Sequence, residues 1–233
     1  MFYREAERAL AAVDQIVDIA RDIRTLKGAH LRIVAPMLTA FGILPAALAV
    51  FRVSHPHVRV SFEIKDLRDI AEWVANEPFD IGVTVLPFQD PRIDCEPLTT
   101  VPSVLVLPSR HPLAAKRIVQ LKDLRGEDVI LPSGSQPRTW ITAAFESVGV
   151  KISTIDTSSA FSSCQLVGRG LGVALVDPFT FKLASNLPIV ARPVRPAIDF
   201  PFGLFFPSNR PRAALVSAFV LAVRSAIGTR SPS

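Results

Sequence analysis

The sequence predicts an α/β protein of two Rossmann-like lobes around a central cleft, preceded by a long helix. Three observations predict it. From residue 29 onward, short apolar runs alternate with amphipathic stretches in a βαβαβ order, and a similar set begins again after residue 102. Such alternation produces largely parallel sheets with helices on their faces. At 233 residues and 49% hydrophobic content, the chain has enough material for two such cores. Residues 1–28 carry instead a single narrow apolar stripe among charged positions, which needs a partner to cover it.

In that first helix Leu10, Val13, Ile16, Val17, Ala20 and Ile23 recur at spacings of three and four, so a coiled dimerisation seam is expected over 1–28. Lys27-Gly28 supplies a cationic last turn and a residue free to take positive φ, which stops it. Residues 31–35 read as a buried strand and 40–53 as a helix. Residues 58–64 alternate in the period-two manner of a strand, Asp66 can cap a helix over 67–75, and 80–85 is a further strand. The second set has strands at 103–107, 129–131, 152–156 and 172–176, with helices at 137–148 and 159–168. Strands at 189–192 and 202–206 and a helix at 212–227 complete it. Crossovers are expected near 98–102 and 198–201, making 29–98 with 200–233 the first lobe and 99–199 the second. The 20 prolines mostly fall between elements and stiffen the connections.

Net charge is +5, and residues 186–233 hold all of the excess, with six Arg against one Asp. A basic tail can attract phosphate, but here the arginines read first as the solvated face of a helix and a Pro-rich connection. No apolar run approaches the ~20 residues of a membrane-spanning helix. Glu5, Glu7 and Asp14 interrupt the N-terminal apolar pattern, so no secretory signal is read and the cytoplasm is the expected compartment. Cys95 and Cys164 have no metal or redox spacing, and His55 and His57 lack a third ligand, so no metal site is expected. No cofactor fingerprint is found: Gly168-x-Gly170-x-Gly172 precedes a strand and does not open a helix, so it cannot cradle a pyrophosphate.

Several fragments in a fixed order carry a resemblance. They are Gly28-x-x-Leu31-Arg32-Ile33, Leu44-Pro45, Asp80-Ile81-Gly82-Val83, Leu107-Pro108 with His111-Pro112-Leu113-Ala114, and Gly168-x-Gly170-Leu171-Gly172 running on to Asp177-Pro178. In this order the chain resembles LysR-type transcriptional regulators, in their linker helix and effector-binding domain. The resemblance implies the type 2 periplasmic-binding-protein fold, a small-molecule effector between hinged lobes, and assembly as a homodimer or homotetramer. It further implies DNA contact only through an N-terminal winged helix-turn-helix, which the sequence as written lacks. Val176-Asp177-Pro178 resembles the subgroup that senses amino acids and opines.

Strand ends and helix starts supply the expected ligand contacts. Pro36, Met37, Leu38 and Thr39 form the first strand-to-helix junction, where unpaired N–H groups suit a carboxylate. Ser133, Ser135 and Gln136 precede a helix of the second lobe. By family position Asp156 and Ser158 face the cleft, and Asp156 would suit an ammonium or guanidinium group. Asp66, Leu67 and Leu86 are taken as the remaining walls. Few titratable groups are expected in the cleft, which argues for a sensor and against an enzyme such as a deaminase or lyase. The alternative on the same fold is a solute-binding protein feeding a transporter.

Overall fold

The computed structural model describes residues 29–65, 78–133, 135–209 and 211–228. The expected dimerisation helix with Leu10, Val13, Ile16, Val17, Ala20 and Ile23, and the expected helix over 67–75, lie outside the described residues.

The first sheet has the order β2-β1-β3-β11-β4. It is built from β1 (His30–Ala35), β2 (Arg59–Ile64), β3 (Ile81–Val85), β4 (Ile93–Pro102) and β11 (Asp199–Pro207). β1 runs parallel to β2 and β3, whereas β11 is antiparallel to β3 and β4. Leu31, Ile33, Val34 and Ala35 are all buried, as a strand covered on both faces requires. One cover is a helix pair, α2 (Leu44–Ser54) and α6 (Ala214–Gly228), locked by an edge-to-face contact of Phe51 with Phe219 at 5.4 Å. Leu215, Phe219, Val223 and Ala226 recur at helical spacing along the buried stripe of α6.

The second sheet has the order β6-β10-β5-β9. Its strands are β5 (Val104–Pro108), β6 (Val119–Gln120), β9 (Ala174–Val176) and β10 (Ile189–Arg195). A parallel pair, β7 (Asp128–Pro132) and β8 (Ser153–Thr157), joins it through a bridge between Val129 and Val173. Gly172 makes that junction possible. Its φ is +146°, and a methyl group there would stand 2.3 Å from the Asp128 carbonyl oxygen. Helices α3 (Gln136–Ser147), α4 (Ala160–Gly168) and α5 (Pro178–Leu183) complete this half.

Three features depart from the sequence expectation. The helix expected over 40–53 is two helices, α1 (Met37–Gly42) and α2, meeting at Ile43. Pro45 lies in the first turn of α2 and has no N–H to continue the ladder from α1. β4 was expected only as a crossover near 98–102, because Asp94, Glu96, Pro97 and Pro102 break the alternation of a strand. It is an edge strand, where proline and charge are tolerated. It pairs with β11 as far as Pro102 opposite Asp199, so the chain leaves the first sheet at Ser103, whose N–H donates to the Ile198 carbonyl at 2.8 Å. The short helix α5 was also missed, although Asp177-Pro178-x-Thr180 is a cap-and-proline start.

Candidate ligand-binding cleft

Six strands end at one place. Pro36 follows β1, Lys65 follows β2 and Val85 ends β3. Pro132 ends β7, Ser158 follows β8 and Asp177 follows β9, and all six residues line a single cleft of about 650 Å³. Strand C-termini and the helix starts that follow them are where open α/β sheets hold ligands.

The sequence-predicted residues divide. Pro36, Met37, Leu38, Ser133, Ser135, Gln136 and Ser158 line the cleft. Thr39 does not: it is buried, with its hydroxyl 2.7 Å from the Val83 carbonyl and 3.1 Å from that of Pro36. Leu86 lies over β11, where its Cδ1 occupies the space a side chain on Gly203 would need. Asp156 lies outside the lining and accepts a 2.6 Å hydrogen bond from Arg138 Nη1. Asp66 and Leu67 fall outside the described residues.

Other wall residues were not anticipated. Lys65 and Arg138 place two cationic side chains on the lining. Thr84 contributes a buried hydroxyl whose Oγ1 has no hydrogen-bond partner among the described residues. An unsatisfied buried hydroxyl is costly, and a group entering the cleft can relieve that cost. Pairing and burial decide all three, and neither is visible in a sequence.

The helix starts are built for this position. Ser135 caps α3 by accepting from the Arg138 N–H, and Ser159 caps α4 by accepting from the Ser162 N–H. The N–H groups ahead of those have no place in the helical ladder and give the cleft partial positive charge. The Ser133 hydroxyl donates to the Thr157 carbonyl at 2.7 Å, tying β7 to β8 where both reach the cleft. Asp177 is fully buried and accepts from Thr180 N at 2.9 Å and from Thr180 Oγ1 at 2.7 Å. Burial pushes its carboxyl above the usual carboxylate range, against the opposing pull of those hydrogen bonds.

The two halves also touch beside the cleft. Phe179 of α5 packs beside Gly42 of α1 and meets Phe202 of β11 edge-on at 5.7 Å, while Trp140 of α3 faces Phe200 at 5.7 Å.

Residues 24–228 match the LysR substrate binding domain. The chain belongs to that family. Among its relatives, the regulatory protein NocR of Agrobacterium tumefaciens (strain T37) is 29% identical over 229 residues, covering 97% of this chain and 76% of NocR. The BenM effector-binding domain solved with its effector benzoate superposes with a TM-score of 0.73 at 21% identity, over 88% of this chain and 96% of that one. The effector-binding domain of QuiR in complex with shikimate gives 0.74 at 20% identity, over 86% and 98%. As a LysR-type effector-binding domain, the chain has the type 2 periplasmic-binding-protein fold expected from its motifs. Its relatives are transcriptional regulators. Among the described residues, no helix is long and apolar enough to cross a membrane.

Proposed function

We propose that this domain senses a small carboxylate-bearing effector in the cleft between its two halves and so controls transcription through a LysR-type regulator. One observation carries the choice of a carboxylate. The unpartnered, buried Thr84 hydroxyl shares its cleft with Lys65, Arg138 and the starts of α3 and α4. These are donors: Lys65 also pairs with Glu63 at 3.3 Å and Arg138 with Asp156 at 2.6 Å, both pairs partly exposed, so an entering anion shares these cations and gives Thr84 a partner. Among the described residues, the acidic group on the same lining is the Asp177 carboxyl, which accepts from Thr180 N–H and Oγ1. Benzoate and shikimate, found with BenM and QuiR, are both carboxylates. An amino acid or opine remains within this class, but Asp156 is paired with Arg138 and its cation-holding role is not needed.

In this reading the first half comprises 29–98 with 200–233 and the second 99–199, closing about Ser103 and Ile198 when effector binds. The effector acts by favouring the closed form over the open one. The full regulator works in the cytoplasm as a homodimer or homotetramer and uses no cofactor.

The test is a thermal-shift screen of small carboxylates, each paired with its neutral amide, on the wild type and Lys65→Ala. A ligand at a hundred times its Kd stabilises the native state by about 2.7 kcal/mol, which raises Tm clearly. At least one acid should raise Tm where its amide does not, and Lys65→Ala should reduce that rise. Equal shifts for acids and amides would remove the anionic reading.

A further inference from the structure

We infer that the effector carries an apolar chain behind its carboxylate, seated in a second chamber that adjoins the cleft. This rests on the carboxylate reading above and adds the chemistry of the other end of the molecule.

The chamber holds about 330 Å³, within the range of small-molecule pockets. Met37, Leu38, Ser159 and Ala160 line both spaces, so the two adjoin across the first turns of α1 and α4. Beyond them the chamber is walled by Phe41, Phe161 and Leu183. It contains two hydroxyls, and each already has a partner within the protein. Thr180 Oγ1 donates to Asp177 at 2.7 Å. Ser159 Oγ accepts from the Ser162 N–H at 3.2 Å and lies 3.0 Å from Ser162 Oγ. The side-chain hydroxyls therefore offer an entering polar group little in return for its lost water, whereas an alkyl or aryl group forfeits no hydrogen bond.

Met37, Phe41 and Leu183 are all substantially exposed, at 44%, 47% and 39%. Three large apolar side chains around one recess stand to be covered together by an apolar occupant. The cleft beside them supplies the anchor that sets the direction of such a molecule: carboxylate toward Lys65, Arg138 and Thr84, chain toward Phe41 and Phe161. The effector is thus an amphipathic monocarboxylate, not a compact hydroxy or dicarboxylic acid.

A series of straight-chain carboxylates from butanoate to octanoate, titrated calorimetrically into the whole chain, tests this. Each added methylene should tighten binding by roughly fourfold until the chamber is filled. Leu183→Glu puts a charge in the chamber wall and should weaken octanoate far more than butanoate. Should short and long members bind equally, the chamber inference falls while the carboxylate reading of the cleft stands. Should no member bind while another carboxylate raises Tm in the acid-and-amide screen, the chamber inference falls alone. If Leu183→Glu changes only the sedimentation behaviour and leaves the chain-length series as it was, the recess is a contact between copies and the inference is wrong.

Discussion

Arg138 Nη1 donates to Asp156 Oδ1 at 2.6 Å, so the acid expected to bind an effector cation is instead bound to a cation of the cleft wall. The pair joins the first turn of α3 to the end of β8 and is partly exposed, with Asp156 55% accessible. Exposed ion pairs contribute about 0–1 kcal/mol, so Asp156→Asn should change unfolding stability by less than ~1 kcal/mol. It should also release the guanidinium toward the cleft and strengthen carboxylate binding several-fold. Arg138→Ala should weaken it. Calorimetric titration of both variants checks the pair, and tighter binding by Arg138→Ala would contradict the assignment.

Thr84 makes the opposite demand. Its hydroxyl is buried in β3 without a partner among the described residues. Thr84→Val keeps the shape of the side chain and deletes the unsatisfied group. Urea unfolding should therefore show unchanged or higher stability, by up to about 1–2 kcal/mol. Effector affinity should fall roughly five- to tenfold, the worth of one ordinary hydrogen bond near 1 kcal/mol. Equal affinity in the two proteins would mean that no ligand atom reaches Oγ1.

The contrast between these residues shows what the sequence could carry. β1 and β9 were legible because Leu31 to Ala35, broken only by Arg32, and Ala174 to Val176 are short apolar runs, and burial on both faces leaves a plain pattern. Strand ends then pointed to Pro36 and Ser133 by topology, and to Ser158 by its position in the resembling family. β4 was legible only as a crossover, because an edge strand need not alternate cleanly, and Pro97 and Glu96 break the pattern. Thr84 is hidden differently. It sits in a correctly placed strand, but its importance lies in a missing hydrogen bond. Lys65 and Arg138 were legible as charges only, since their place in the wall depends on how two distant strands end.

Asp177 gives a pH signature. Its carboxyl is raised above the usual value by burial, so the native state binds a proton more readily than the unfolded chain, whose carboxyl titrates near ~3.9. Stability from this group is then full below that unfolded value and is lost as pH rises through the native one. Asp177→Asn cannot titrate. The stability of the wild type relative to Asp177→Asn should fall from about pH 4 upward, with a slope no steeper than ~1.4 kcal/mol per pH unit. Urea midpoints for both proteins between pH 4 and 8 measure it. A difference that rises with pH would show that the hydrogen bonds from Thr180 outweigh burial.

Gly42 and Phe179 offer a way to ask whether the two halves move. A methyl group on Gly42 would stand 2.8 Å from Phe179 Cβ, too close by roughly half an ångström, and a Cβ cannot swing aside as a side-chain tip could. Were α1 and α5 parts of one rigid core, Gly42→Ala would cost the ~1–3 kcal/mol of ordinary overpacking. Two strands of chain, at Ser103 and near Ile198, link the sheets, so a small opening about them can absorb the clash. Gly42→Ala should therefore lose less than ~1 kcal/mol in unfolding without effector, yet bind effector several-fold more weakly, because closure now presses the methyl into Phe179. Small-angle scattering should show a smaller contraction on ligand addition than in the wild type. A full stability loss with unchanged affinity would mean that α1 and α5 stay in fixed contact, and the effector would then have to signal by another route.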